Sequence, residues 1–216
     1  MSAELLEEYI ETDNEAAIRQ LLTENPRLLH TPLSGNISPI LLSCYYGKKR
    51  ITELLVSLAK NLSIHEAAAT GNTAALEHLL NAKPALIDTY SPDGFTPLGL
   101  AAYFGQERSV AFLLVKKADP NKSSTNGFHV CPVHSAVAGN YLTILALLLD
   151  AGAQVNVVQQ SGITPLHLAA RNGNIEMIVG LLEEGAEVNI RMEGGKLPAD
   201  LARENGHLAI AEILQP

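Results

Sequence analysis

The side chains with most capacity for chemistry here are seven histidines, two cysteines and a scatter of lysines, and a few fall at suggestive spacings. His65-Glu66 begins like the zinc-binding H-E-x-x-H, in which two histidines one helical turn apart hold the metal and the glutamate serves as base. The second histidine position is Ala69, so the motif fails. His129, Cys131 and His134 are a cluster of metal-ligand types, but a tetrahedral zinc site needs a fourth ligand or water and well-aimed side chains. Cys131 and His134 also sit at positions that recur along the chain. Gly194-Gly195-Lys196 has the end of a phosphate loop, yet the earlier glycine of G-x-x-x-x-G-K-[ST] is replaced by Ile190 and the next residue is Leu197. Sequence position alone supports no Ser–His–acid or Cys–His–acid arrangement. The sequence therefore implies no catalytic residue, no metal and no cofactor.

Composition narrows the class. With 47% hydrophobic and 18% charged residues the chain is an ordinary globular sequence with apolar content for a core. Trp is absent and aromatics are 5%, which suits a core of Ala and Leu between closely packed short helices. An excess of 23 Asp+Glu over 15 Lys+Arg argues against a nucleic-acid or anionic-membrane footprint. The short basic runs Lys48-Lys49-Arg50 and Lys116-Lys117 read as solvated helix ends. Cys44 and Cys131 are too few for a disulfide framework and point to a reducing compartment. The acidic N-terminus does not resemble a secretory signal, and no apolar run approaches the roughly 20 residues of a membrane helix. A soluble, cytoplasmic protein is the expectation.

The elements that position these residues are clearest in Gly162–Ile190. Thr164 can cap a helix whose first residue, Pro165, needs no N–H partner. Leu166, Ala169 and Ala170 give that helix an apolar side, and Gly173 permits the positive φ that ends it. Ile175, Ile178, Leu181 and Leu182 recur at helical spacing on a second helix, closed by Gly185. Two helices this short leave most of their apolar surface uncovered unless copies stack on both sides.

The stretch Thr164-Pro165-Leu166-His167-Leu168-Ala169, with Gly173, Leu181-Leu182, Gly185-Ala186 and Val188-Asn189, resembles the ankyrin repeat, whose T-P-L-H-x-A signature recurs with a period near 33. Positions equivalent to Thr164 fall at Glu4, Ser38, Leu62, Thr96, Cys131, Thr164 and Leu197. Turn positions equivalent to Gly173 fall at Asp13, Gly47, Gly71, Gly105, Asn140, Gly173 and Gly206. Asp and Asn tolerate the left-handed conformation better than other non-glycine residues. Seven units follow, approximately 4–37, 38–61, 62–95, 96–130, 131–163, 164–196 and 197–216, so the expected fold is one all-α ankyrin-like solenoid with short β-hairpin loops. The first unit is rich in Glu, as an end repeat meeting water should be. The second is about ten residues short, so the junction at Ala59-Lys60-Asn61 should lack a projecting hairpin. The fifth has two extra residues between Gly127 and Cys131. The resemblance also implies that His65, His134 and His167, at one repeat position, tie helices to loops by hydrogen bonds.

In ankyrin-like stacks a partner docks on the concave side, formed by hairpin tips and exposed positions of each first helix. Those positions hold Tyr45 and Tyr46 in unit two, Ala69 and Thr70 in unit three, and Tyr103 and Phe104 in unit four. Four of the chain's ten Phe and Tyr residues thus fall there. The expectation is a groove floored by Ala69 and Thr70 and walled by aromatics, with Phe95 and Phe128 on adjacent hairpins extending it, since exposed aromatics are typical of binding hot spots. The alternative is that one aromatic of each pair packs under the neighbouring hairpin. A protein or peptide partner is implied, with no nucleic acid and no membrane, and the functional reading is a non-enzymatic adaptor, scaffold or inhibitor acting as a monomer. The competing reading is a structural, self-assembling module with weak end-to-end association, suggested by the abrupt end at Ile213-Leu214-Gln215-Pro216. A metal protein or enzyme ranks behind both.

Overall fold

The computed structural model describes residues 2–215, so the domain limits at Met1 and Pro216 lie outside the described residues. Among the described residues fourteen α-helices follow in antiparallel pairs. They are α1 (Ser2–Glu11) with α2 (Glu15–Glu24), α3 (Pro39–Tyr45) with α4 (Lys49–Leu58), α5 (Ile64–Ala69) with α6 (Thr73–Ala82), and α7 (Pro97–Tyr103) with α8 (Glu107–Val115). Then come α9 (Pro132–Ala138) with α10 (Leu142–Asp150), α11 (Pro165–Asn172) with α12 (Ile175–Glu183), and α13 (Pro198–Glu204) with α14 (Leu208–Ile213). The first helix of each pair packs on the first helix of the next, from α1 on α3 through α11 on α13, and behind them α2 packs on α4 while α6, α8, α10 and α12 pack in a row. Helices this short are marginal alone; the stacking buries the Ala and Leu faces that hold them.

Local chemistry sets each helix start. Ser38, Thr96 and Thr164 accept hydrogen bonds from the backbone N–H three residues on, and Pro39, Pro97 and Pro165 follow at the first helical position. Each pair then reverses through a left-handed residue. Gly173 has φ +71°, and the two non-glycine turn residues adopt the same conformation, Asp13 at φ +59° and Asn140 at φ +60°. The third unit differs from expectation. Its cap is Ser63, one residue beyond Leu62, because Ser63 and Glu66 form a reciprocal capping box, with Ser63 N–H donating to Glu66 Oε2 at 2.7 Å. Leu62 has no oxygen to offer and instead packs against apolar clusters on both sides.

The loops between pairs are tight turns rather than β-hairpins. Among the described residues one isolated antiparallel bridge forms, Gln159 with Ile163. Elsewhere the turns close without a bridge, as by the bonds from Leu33 N–H to the Ile37 carbonyl at 2.8 Å and from Ser91 N–H to the Phe95 carbonyl at 2.9 Å. The loop before α9 closes from Ser124 to Val130 instead, a span two residues wider, which carries Phe128 and His129. Successive loops are tied together, Thr125 N–H to the Gly94 carbonyl, Gln160 to Phe128 and Glu193 to Ser161. Between α4 and α5 only residues 59–63 intervene, and no such loop forms.

That short junction divides the core. One apolar cluster lies in the first two pairs around Leu6, Ile18, Ile51 and Leu55, and a larger one runs from Ile64 to Leu214. A third, small cluster of Leu41, Ala69 and Leu100 bridges them on the first-helix side.

Candidate functional site

Around that bridging cluster the aromatic residues gather. α3 ends in Tyr45 and Tyr46, α7 ends in Tyr103 and Phe104, and α5 lies between them with Ala69 at its end. Because Ala69 is small, Tyr45 reaches across the intervening repeat, placing its ring centroid 5.1 Å from Phe104 and 5.8 Å from Tyr103. Tyr103 stands edge-on to Phe104 at 5.0 Å, and Phe95 joins at 6.3 Å from Tyr103. Tilted and edge-to-face arrangements at these separations are the favourable ones for aromatic quadrupoles.

The rings fill the space expected to be a groove. Ala69 is buried at 1% exposure under them and is no exposed floor. Tyr45 is half-buried, and its hydroxyl donates to Asp93 Oδ2 at 2.5 Å. Burial first, and then the Asp93 carboxylate, push this phenol far above its ordinary range. Phe104 is likewise half-buried. Outward-facing surface is left by Tyr46, 39% exposed, and Tyr103, 46% exposed. One member of each pair therefore turns inward and the other outward. The last helical residue and its cap point about 100° apart, which lets one pack while the other faces out, the last helical residue turning inward in α3 and the cap in α7.

The remaining candidates separate from this cluster. Thr70 donates back to the Glu66 carbonyl at 2.7 Å and borders a cleft of ≈ 370 Å³ with Gly47, Lys49, Phe104 and Gln106, toward the turn side. Phe128 is 55% exposed on the widened loop but makes no ring contact with the cluster among the described residues, so it does not extend that surface. Tyr90 was not anticipated. It is 40% exposed, its hydroxyl donates to the Ser123 carbonyl at 3.1 Å, and Lys122 sits 4.8 Å from its ring centroid. Its sequence signal was weak, because it lies outside the first helix.

The chemistry-bearing residues are occupied structurally. His134 Nδ1 accepts from the Cys131 N–H and Nε2 donates to the Ile163 carbonyl, both at 3.2 Å. His167 repeats this with Thr164 N–H and the Lys196 carbonyl, and His65 donates to the Thr89 carbonyl at 2.9 Å. Burial lowers all three histidine pKa values, that of His134 from 6.5 to about 4. In unit seven Asp200 takes the histidine's place and accepts from Leu197 N–H at 2.9 Å. Burial raises both thiols to about 11, so neither Cys44 nor Cys131 is a ready thiolate nucleophile. Among the described residues no group of three or more His, Cys, Asp or Glu side chains could hold a metal ion. No helix among them is long and apolar enough to cross a membrane.

Comparison with known proteins fits this architecture. A family model described as ankyrin repeats (3 copies) matches three overlapping stretches, residues 6–124, 64–159 and 133–216. The inactive serine/threonine-protein kinase TEX14 of Bos taurus is 32% identical over 99 residues, which cover 46% of this chain. The aligned stretch spans 6% of the length of that curated relative.

Proposed function

The chain belongs to the ankyrin repeat family, whose members are generally protein-interaction modules, and on that premise we propose that it binds a protein partner without catalysis. The binding surface is the first-helix face around Tyr46 and Tyr103. The observation that carries this reading is the division of labour in the aromatic cluster, in which Tyr45 and Phe104 form a backing that holds the exposed Tyr103 ring in place, while Tyr46 stands exposed beside Tyr45 at the end of α3. A surface already ordered before contact loses little entropy on binding, and exposed tyrosine is a residue type that dominates binding energy. A partner segment lying across α3, α5 and α7 would meet both rings. The relative is itself described as an inactive kinase, which is in keeping with a binding role, as are the engaged histidines and protonated thiols. The two free thiols fit a reducing compartment such as the cytoplasm. A photoreactive phenylalanine analogue in place of Tyr103 tests the surface. Cross-linking to a defined protein at Tyr103, and none from the same analogue at Val179 on the second-helix row, is expected; equal yields from both would argue against it.

A self-assembly role rests on one observation. Leu208 and Ile213 on α14 are 62% and 58% exposed. Static light scattering across concentration distinguishes this, since end-to-end association raises the apparent mass and Leu208→Glu should abolish the rise.

A further inference from the structure

Leu58 closes α4 with 42% of its surface exposed. Counted from the turn residue of each pair, the corresponding positions hold Ala82, Lys116, Ala151 and Glu184, so a large apolar side chain there is particular to the shortened unit. It forms one wall of a cleft of ≈ 590 Å³ floored by Leu22 and Leu29 and rimmed by Arg27, His30 and Lys60. Among the described residues no carboxylate lines this cleft, although the chain carries a net charge of −8. Another cation at the rim, Arg19, is held by Glu15 at 2.8 Å. Arg27, His30 and Lys60 make no ion pair among the described residues.

The backbone beside the cleft is also uncommitted. Where later junctions turn back on themselves and bond to their neighbours, the connection from Ala59 to Leu62 runs from an extended residue, Ala59 at φ −75° and ψ +124°. The N–H groups of Lys60, Asn61 and Leu62 form no hydrogen bond among the described residues. On its far side lies a second hollow, of ≈ 330 Å³, bordered by Asn61 and His78. The connection is thus an exposed, bent segment with unbonded N–H groups and space on both sides.

We propose that this cleft is a second docking site, distinct from the tyrosine surface, for an extended acidic peptide segment with an apolar anchor residue. Three complementary demands select that ligand. The leucine floor takes one apolar side chain. The Arg27 and Lys60 charges take flanking carboxylates, which in a chain of opposite net charge also gives selectivity between partners. The free N–H groups of Lys60 and Asn61 take carbonyl oxygens of the bound peptide's main chain. A fatty acid offers no row of carbonyls, and an isolated phosphate offers no anchor.

The test is a titration of the ¹⁵N-labelled full chain with a capped decapeptide of alternating Leu and Glu. The amide signals of Lys60 and Asn61 should shift on titration, and Arg27→Gln with Lys60→Gln should weaken binding by about tenfold or more. Replacing Glu by Gln in the peptide should do the same, whereas Tyr103→Ala should leave affinity unchanged. Unfolding of each variant is followed by circular dichroism, and Lys60→Gln alone, a single exposed exchange, serves if the double variant is destabilised. No perturbation at millimolar peptide, equal affinity for the Gln peptide, or loss of binding in Tyr103→Ala would each overturn the proposal. So would dodecanoate binding where the peptide does not, which assigns the cleft to a lipid carboxylate.

Discussion

The Tyr45 hydroxyl donates to Asp93 at 2.5 Å across 48 residues of sequence, linking the end of α3 to the turn before α7 over the repeat between them. With the Tyr45–Phe104 ring contact it closes the first-helix side of the one junction that has no loop. Tyr45→Phe keeps the ring and removes the bond, leaving Asp93 short of a donor. A hydrogen bond to a charged group contributes about 1.5–3 kcal/mol, and partial exposure of this one places it toward the lower end. Urea unfolding followed by circular dichroism should show a loss of roughly 1–2 kcal/mol.

Leu100 is fully buried beneath the same rings, in one cluster with Leu41 and Ala69. Leu100→Ala should cost about 2–5 kcal/mol, the usual range for a buried leucine truncated to alanine. Repeat stacks are stabilised by nearest-neighbour interfaces, so the first two pairs should then melt ahead of the other five. Hydrogen exchange checks this: amides of α2 and α4 should lose protection before those of α10 and α12, and uniform loss would contradict a divided core.

Stability should fall with acid in a window set by the buried histidines. His134 is neutral in the folded chain because burial lowers its pKa from 6.5 to about 4, and His65 and His167 shift the same way. Between those values the unfolded chain binds protons that the folded chain refuses, so stability is complete above pH 6.5 and declines as pH drops toward 4. The denaturation midpoint should be flat from pH 8 to 7 and fall from pH 6.5 to 4.5. In His134→Asn that fall should be shallower; an unchanged slope would remove His134 as a cause.

Much of this was legible in the sequence because each repeat states its own rules locally. Thr164-Pro165 caps and starts a helix, Gly173 reverses it, and the same chemistry recurs at Ser38 and Thr96. The missing loop followed from the spacing between Gly47 and Gly71. The aromatic site was legible only in part: spacing places Tyr45 and Tyr103 on the same face, but which rings turn inward depends on Asp93 and on Ala69 two helices away, contacts that no local pattern encodes. Leu62 stands at the repeat position of Thr164, but the cap falls one residue on because the Ser63–Glu66 pair supplies the hydrogen bonds. The basic cleft beside Leu58 escaped notice because its residues come from α2 and the stretch after it on one side and from Leu58 and Lys60, about thirty residues later, on the other.

The central claim, that the exposed tyrosines form the partner surface, is tested most directly by comparing the intact chain with Tyr46→Ala/Tyr103→Ala in a quantitative affinity capture. Both side chains are partly exposed, so circular dichroism should show the double variant folded. Phe104 is left intact because it belongs to the buried backing. The intact chain should enrich a defined partner that the double variant retains about tenfold less or weaker still. Equal enrichment by a folded double variant would contradict the assignment of this face.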